Sequence, residues 1–145
     1  MKNGRYEEAG IVRWFKDDEL HREDGPAIEY PSGSKEWCLY GQRHREDGPA
    51  VEEPNGTKQW YLNGQIHRDD GPALEYENGM KIWGRYGRQH REDGPAIEYS
   101  NGDKEWWIND IEFTEEEFNR WLDKKKLNER LHALPQKPKS KRRKI

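Results

Sequence analysis

The chain reads as a mainly β protein: an elongated antiparallel meander of five 23-residue hairpin repeats, with a C-terminal capping helix and a disordered basic tail. Three observations predict this. A Gly followed four residues later by Trp recurs with a period of 23, at Gly10/Trp14, Gly33/Trp37, Gly56/Trp60, Gly79/Trp83 and Gly102/Trp106. The heptapeptide His-Arg-Glu/Asp-Asp-Gly-Pro-Ala keeps the same period, starting at His21, His44, His67 and His90; a fixed period of this length marks an array of stacked supersecondary units. Finally, 30% of the residues are hydrophobic and 38% charged, too little aliphatic material for a sandwich or a doubly wound enzyme. Seven Trp and seven Tyr can supply buried area to a thin sheet instead.

Each unit follows one pattern. After the Pro of the heptapeptide comes a strand of alternating character, such as Ala27-Ile28-Glu29-Tyr30 or Ala96-Ile97-Glu98-Tyr99. A four-residue turn follows, Pro-Ser-Gly-Ser at 31–34 and Pro-Asn-Gly-Thr at 54–57, in which Asn-Gly suits the positive φ angles of a type I′ turn. A second strand then runs through the Trp, and Asp-Gly-Pro reverses the chain at the junction, since Gly turns freely and Pro cannot donate to a ladder. Five such hairpins give ten strands. The first of them falls near Arg5–Glu8, and edge-to-edge pairing of an open strand near Ile11–Phe15 is an alternative route to a dimer.

Period-two alternation places Ile28, Tyr30, Trp37 and Leu39 on one face, and Ala27, Glu29, Glu36, Cys38 and Tyr40 on the other. The Trp row, backed by Ile28, Val51, Leu74 and Ile97, is then the expected core, with the Glu-rich face in solvent. Trp107 falls on the opposite face from Trp106 and is an expected protein-binding residue.

Residues 1–112 form the repeat sheet, 113–134 the helical segment and 135–145 the tail. Thr114-Glu115-Glu116-Glu117 matches a capping box, and Pro135 ends the helix. Phe118, Trp121 and Leu122 make one stripe that caps the last repeat, whereas Leu127, Leu131 and Leu134 lie nearly opposite. Either the chain breaks near Lys124–Lys126 into two helices, or the second stripe meets another chain; a homodimer through these leucines is the expectation. In the tail, Lys137, Lys139, Lys141, Arg142, Arg143 and Lys144 are candidate phosphate contacts. They sit on a chain whose first 112 residues hold 15 basic and 24 acidic side chains, so opposite charge is segregated to the two ends.

No cofactor, metal or catalytic residue is called. Equivalent His or Asp side chains lie two strand spacings apart, about 9.6 Å, too far to share a zinc ion at about 2 Å from each ligand or to act as a retaining carboxylate pair. No phosphate loop or nucleophile motif occurs in the sequence. The single Cys38, the absence of an apolar run near 20 residues and an N-terminus unlike a signal peptide lead to the expectation of a cytoplasmic protein without a membrane span.

The runs Tyr-Pro-Ser-Gly-Ser-Lys-Glu-Trp (30–37), Pro-Asn-Gly-Thr-Lys-Gln-Trp (54–60) and Leu-Asn-Gly-Gln-Ile-His (62–67) resemble MORN repeats and their bacterial variants, over roughly residues 5–112. Arg22, Arg45, Arg68 and Arg91 stand where the familiar repeat has Gly after His. The resemblance implies successive β-hairpins and a non-catalytic scaffold that binds proteins or lipid headgroups, some bacterial variants being labelled antitoxins. The functional expectation is a non-enzymatic accessory module that docks on a protein partner and lends its basic tail to nucleic acid. A phage-defence nuclease complex is one such setting. The alternatives are an antitoxin or immunity protein that sequesters a toxin on its acidic sheet, and a scaffold on anionic membranes.

Overall fold

A computed structural model describes residues 1–135. The first strands are β1 Gly4–Glu8, β2 Ile11–Lys16 and β3 Glu19–Leu20. Three units of four short strands follow. The first holds β4 Ile28–Glu29, β5 Lys35–Glu36, β6 Cys38–Leu39 and β7 Gln42–Arg43. The second holds β8 Val51–Glu52, β9 Lys58–Gln59, β10 Tyr61–Leu62 and β11 Gln65–Ile66. The third holds β12 Leu74–Glu75, β13 Lys81–Ile82, β14 Gly84–Arg85 and β15 Arg88–Gln89. The array closes with β16 Ile97–Glu98, β17 Lys104–Ile108, β18 Ile111–Phe113 and the helix α1 Glu115–Ala133. The main sheet runs β1-β2-β4-β5-β8-β9-β12-β13-β16-β17-β18, with β3 beside β2, so the antiparallel meander expected from the repeat is the fold. β2 lies between β1 and β4, and Ile11–Phe15 is therefore not an open edge; Gly4–Glu8 is.

Each unit crosses the sheet twice. The outward pass is bent at its Trp: in the first full unit it runs through β5, Trp37 and β6. The return pass begins with β7 and resumes in β8 only after an excursion of the chain through Arg45–Pro49. Trp37 holds the bend by donating its N–H to the Ala50 carbonyl at 2.7 Å and accepting from the His44 N–H at 3.0 Å. In the last unit Phe113 and Thr114 replace His-Arg, no excursion follows, and β17 stays unbroken.

Two different turns punctuate the passes. At residues 31–33 the Gly33 N–H donates to the Tyr30 carbonyl (2.9 Å) and the Tyr30 N–H to the Ser34 carbonyl (3.0 Å), with Gly33 at φ 94°. This is a three-residue loop ending in a left-handed Gly, not a four-residue type I′ turn. The two-residue turn is elsewhere, at Tyr40-Gly41 with φ 49° and 77°, and recurs at Asn63-Gly64, Tyr86-Gly87 and Asn109-Asp110. It makes the small hairpins β6–β7, β10–β11 and β14–β15, so each unit carries a second hairpin that the one-hairpin expectation lacks. The chain reverses there and not at Asp-Gly-Pro.

That one residue of loop length changes the faces. Ile28 pairs with Glu36 and Glu29 with Lys35, a one-residue slip from the expected pairing, and a slip of one exchanges the two faces of one strand relative to its partner. Trp37 therefore shares a face with Ala27, Glu29 and Lys35, whereas Ile28 lies with Glu36 and Cys38. Ala27, Ala50, Ala73 and Ala96 are fully buried beside the indoles, a small side chain fitting where two large rings flank it. Farther along the same face the register alternates Glu29, Lys35, Glu52, Lys58, Glu75, Lys81, Glu98 and Lys104, a cross-strand ladder of opposite charges. The expected Trp-with-Ile core is thus corrected: the indoles are half-buried, and Ile28, Val51, Ile97 and Cys38 are buried on the other face. There the Tyr30 hydroxyl (2.8 Å) and the Arg43 guanidinium (2.7 Å) both donate to Glu36.

The helix is single and continuous. Thr114 and Glu117 form the expected reciprocal capping box. Phe118 is buried with Trp121 stacked on it at 5.8 Å, which seals the last repeat. From Lys126 onward every described residue is exposed, so the last two turns overhang the sheet. Among the described residues no helix is long and apolar enough to cross a membrane.

Candidate interaction surface

The excursions carry the most elaborate chemistry of the chain. In each, the arginine of the heptapeptide curls back over the indole eight residues before it. The guanidinium carbon lies 4.4 Å from the ring centroid for Arg22 on Trp14, 3.9 Å for Arg45 on Trp37 and 3.8 Å for both Arg68 on Trp60 and Arg91 on Trp83. The same group donates to the Pro carbonyl four residues on, at 3.0–3.2 Å, and to the Asp two residues on, at 2.9–3.1 Å. The Gly of Asp-Gly-Pro forms the other wall: a Cβ on Gly25, Gly48, Gly71 or Gly94 would fall 2.8–3.0 Å from the guanidinium carbon. No positive φ attaches to these four glycines. They are required for room and not for turning, and Trp, Arg and Gly keep one period because they form one sandwich.

The histidines tie consecutive units together. Nδ1 of His21, His44, His67 and His90 accepts the backbone N–H of Tyr40, Asn63, Tyr86 and Asn109, at 2.9–3.0 Å, in the two-residue turn of the next unit. Nε2 then carries the proton and faces a carboxylate such as Glu23 (3.5 Å) or Asp69 (3.2 Å). Burial lowers the pKa of His90 against the pull of Glu92, with Arg85 and Lys125 lowering it further. Among the described residues no group of three His, Cys, Asp or Glu side chains could hold a metal.

Between successive excursions lie three equivalent clefts. The first, between loops 22–26 and 45–49, measures about 760 Å³ and is lined by Trp37, Leu39 and His44 besides the loops. The second, about 640 Å³, has Trp60, Leu62 and His67. The third, about 820 Å³, has Trp83, Arg85 and His90. Their rims carry a pair of acids per loop. With Asp24, Asp47, Asp70 and Asp93 each bound to an arginine, the freer carboxylates are Glu23 and Glu46, exposed by 76% and 84%, while Asp69, exposed by 74%, meets Arg85 at 3.7 Å. Glu92 is exposed by only 38%, because Lys125 of α1 binds it at 3.1 Å and Arg85 approaches at 3.9 Å.

The residues singled out from sequence are not brought together. Trp107 is half-buried on the Cys38 face, and its Nε1 donates to Glu105 at 3.0 Å. Leu127, Leu131 and Leu134 are exposed on the helix overhang. Lys137, Lys139, Lys141, Arg142, Arg143 and Lys144 lie outside the described residues. Sequence reasoning gave the heptapeptide a structural role but missed its arginine–indole stack and the clefts; the constant eight-residue step from Trp to Arg was the available signal. Cys38 is buried, and its thiol is pushed up to about 11, chiefly by desolvation and then by Glu36. No protein-family model, curated protein or solved structure matches the chain.

Proposed function

We propose that the chain is a non-enzymatic docking module whose loop face binds a basic protein partner. The observation that carries this is the fixed presentation of paired acids on four equivalent excursions, in which the arginines are turned inward onto indoles and backbone carbonyls. Cations consumed inside the fold leave their carboxylates facing outward at a regular pitch, which favours encounter with a surface of opposite sign. The resemblance of runs such as 30–37 and 54–60 to MORN repeats supports a scaffold role. The six basic residues beyond Leu134 carry charge of the opposite sign, and on this reading they bind a nucleic-acid backbone within the same assembly. The leucine stripe adds a weaker contact. Three side chains on about two turns bury far less than the roughly 800 Å² per partner of a stable interface, so self-pairing through it supplements docking.

A second reading is sequestration, as by an antitoxin, of a basic toxin whose active surface the same loops would cover. It is favoured by the concentration of carboxylates on one face. Carbodiimide cross-linking of the complex formed in the source organism tests both. Cross-links from Glu23, Glu46 or Asp69 to lysines of one stoichiometric partner are expected. A complex whose cross-links avoid the excursions would overturn the loop-face assignment, and loss of the partner's activity on binding would select sequestration.

A further inference from the structure

Resting on that docking reading, we infer that the first two clefts each receive one arginine of an extended partner segment that carries arginine at every third residue. The third cleft supplies the precedent within this chain. There Arg85 occupies the place held by Leu39 and Leu62 in the other two, and together with Lys125 it brings cationic groups to the rim acids Asp69 and Glu92. The first two clefts have the same indole, histidine and paired acids but an aliphatic residue in that place, and Glu23 and Glu46 remain exposed.

The lining fits a guanidinium better than an ammonium. The indole of each cleft already carries this chain's own Arg45 or Arg68 on its ring, so an incoming cation meets the carboxylates of two different loops at the rim, where a planar fork can engage two oxygens at once. The pitch decides the partner's conformation. Neighbouring clefts are separated by two strand spacings, about 9.6 Å. A polyproline II segment advances about 3.1 Å per residue, so its every third side chain recurs at about 9.3 Å on one side. An α-helix rises about 5.4 Å per turn and offers no such match over one step. The segment therefore lies across the strands, along the row of loops.

The test uses the full chain and calorimetric titration with two peptides of identical composition, Arg-Pro-Ser repeated three times and a version with the three arginines contiguous. The spaced peptide is expected to bind about fivefold more tightly, since only it places two guanidiniums in separate clefts. Glu23→Gln with Glu46→Gln should remove that preference, while Glu92→Gln, at a site already holding Lys125, should leave it intact. Equal affinity for the two peptides overturns the cleft assignment but leaves loop-face docking standing. Failure of both peptides to bind, in the full chain and in a chain ending at Pro135, removes both. Binding that emerges only after this truncation would assign the clefts to the chain's own basic end and would likewise overturn the inference.

Discussion

Replacing Gly71 by Ala places a methyl carbon 2.8 Å from the Arg68 guanidinium carbon, and the guanidinium has nowhere to move while keeping its partners. It lies 3.8 Å from the Trp60 ring centroid and donates to the Pro72 carbonyl at 3.1 Å. Its contact with Trp60 contributes about 1 kcal/mol for a cation that is mostly covered, and the charged hydrogen bond to the carbonyl about 1.5 kcal/mol. The pair with Asp70, whose side chain is 86% exposed, adds little after screening by solvent. Displacing the guanidinium should therefore cost about 2–3 kcal/mol, or roughly 5–10 °C in Tm for a chain of this size.

The background decides the mechanism. In an Arg68→Ala chain the obstructing group is gone, and because Gly71 has no left-handed φ the added methyl should be neutral or stabilising by up to about 1 kcal/mol through the unfolded state. The same substitution thus changes from costly to harmless, a coupling of about 3 kcal/mol in the double-mutant cycle. Urea unfolding followed by tryptophan fluorescence measures all four corners. A Gly71→Ala penalty that persists unchanged without Arg68 would refute the sandwich and return the glycine to a backbone role.

Three further outcomes are expected. Cys38, with its thiol near 11, should resist a disulfide exchange reagent at pH 8 until urea opens the sheet, as the thiolate is the reactive form; complete labelling within minutes in native buffer would contradict its burial. Stability should fall as pH drops below the ordinary His value of 6.5, because His90 is held lower in the fold, so the unfolded chain takes up the proton first; His90→Asn, which keeps an acceptor for the Asn109 N–H, should flatten that limb, and an unchanged acid limb would remove His90 as its source. If the tail contacts phosphates, affinity for duplex DNA should weaken with salt at a log–log slope no steeper than about -5, from six cations at about 0.9 each, and a chain ending at Pro135 should lose that component while staying folded; equal affinities for the two chains would dissociate the tail from nucleic acid.

The architecture was legible because repetition exposes it. A 23-residue period, a strand-like Ala-Ile-Glu-Tyr and a Gly-bearing turn suffice to give a meander, and Thr114 with Glu117 suffices to start the helix. The continuity of α1 through Lys124–Lys126 was not legible: its two apolar stripes fit equally a broken helix and one that overhangs its support. The three clefts were hidden for a different reason. They are made by Arg22, Arg45, Arg68 and Arg91, and a charged residue followed by acids reads as a solvated surface until its stacking partner, eight residues earlier, is found on the same face.

What surrounds each indole depends on register, and register depends on one residue. Pro-Ser-Gly-Ser reads as a four-residue turn, which would put Trp37 opposite Ile28; the left-handed Gly33 instead closes the loop after three residues, and Ile28 faces Glu36. With the expected pairing, Trp37 would sit beside the β-branched row. With the observed pairing, Trp37 sits between fully buried Ala27 and Ala50, and the excursion after His44 emerges on its face. The company each indole keeps, small buried alanines in place of the β-branched row, therefore rests on the length of a turn that precedes Arg45 by twelve residues, about 40 Å of extended chain at about 3.3 Å per residue.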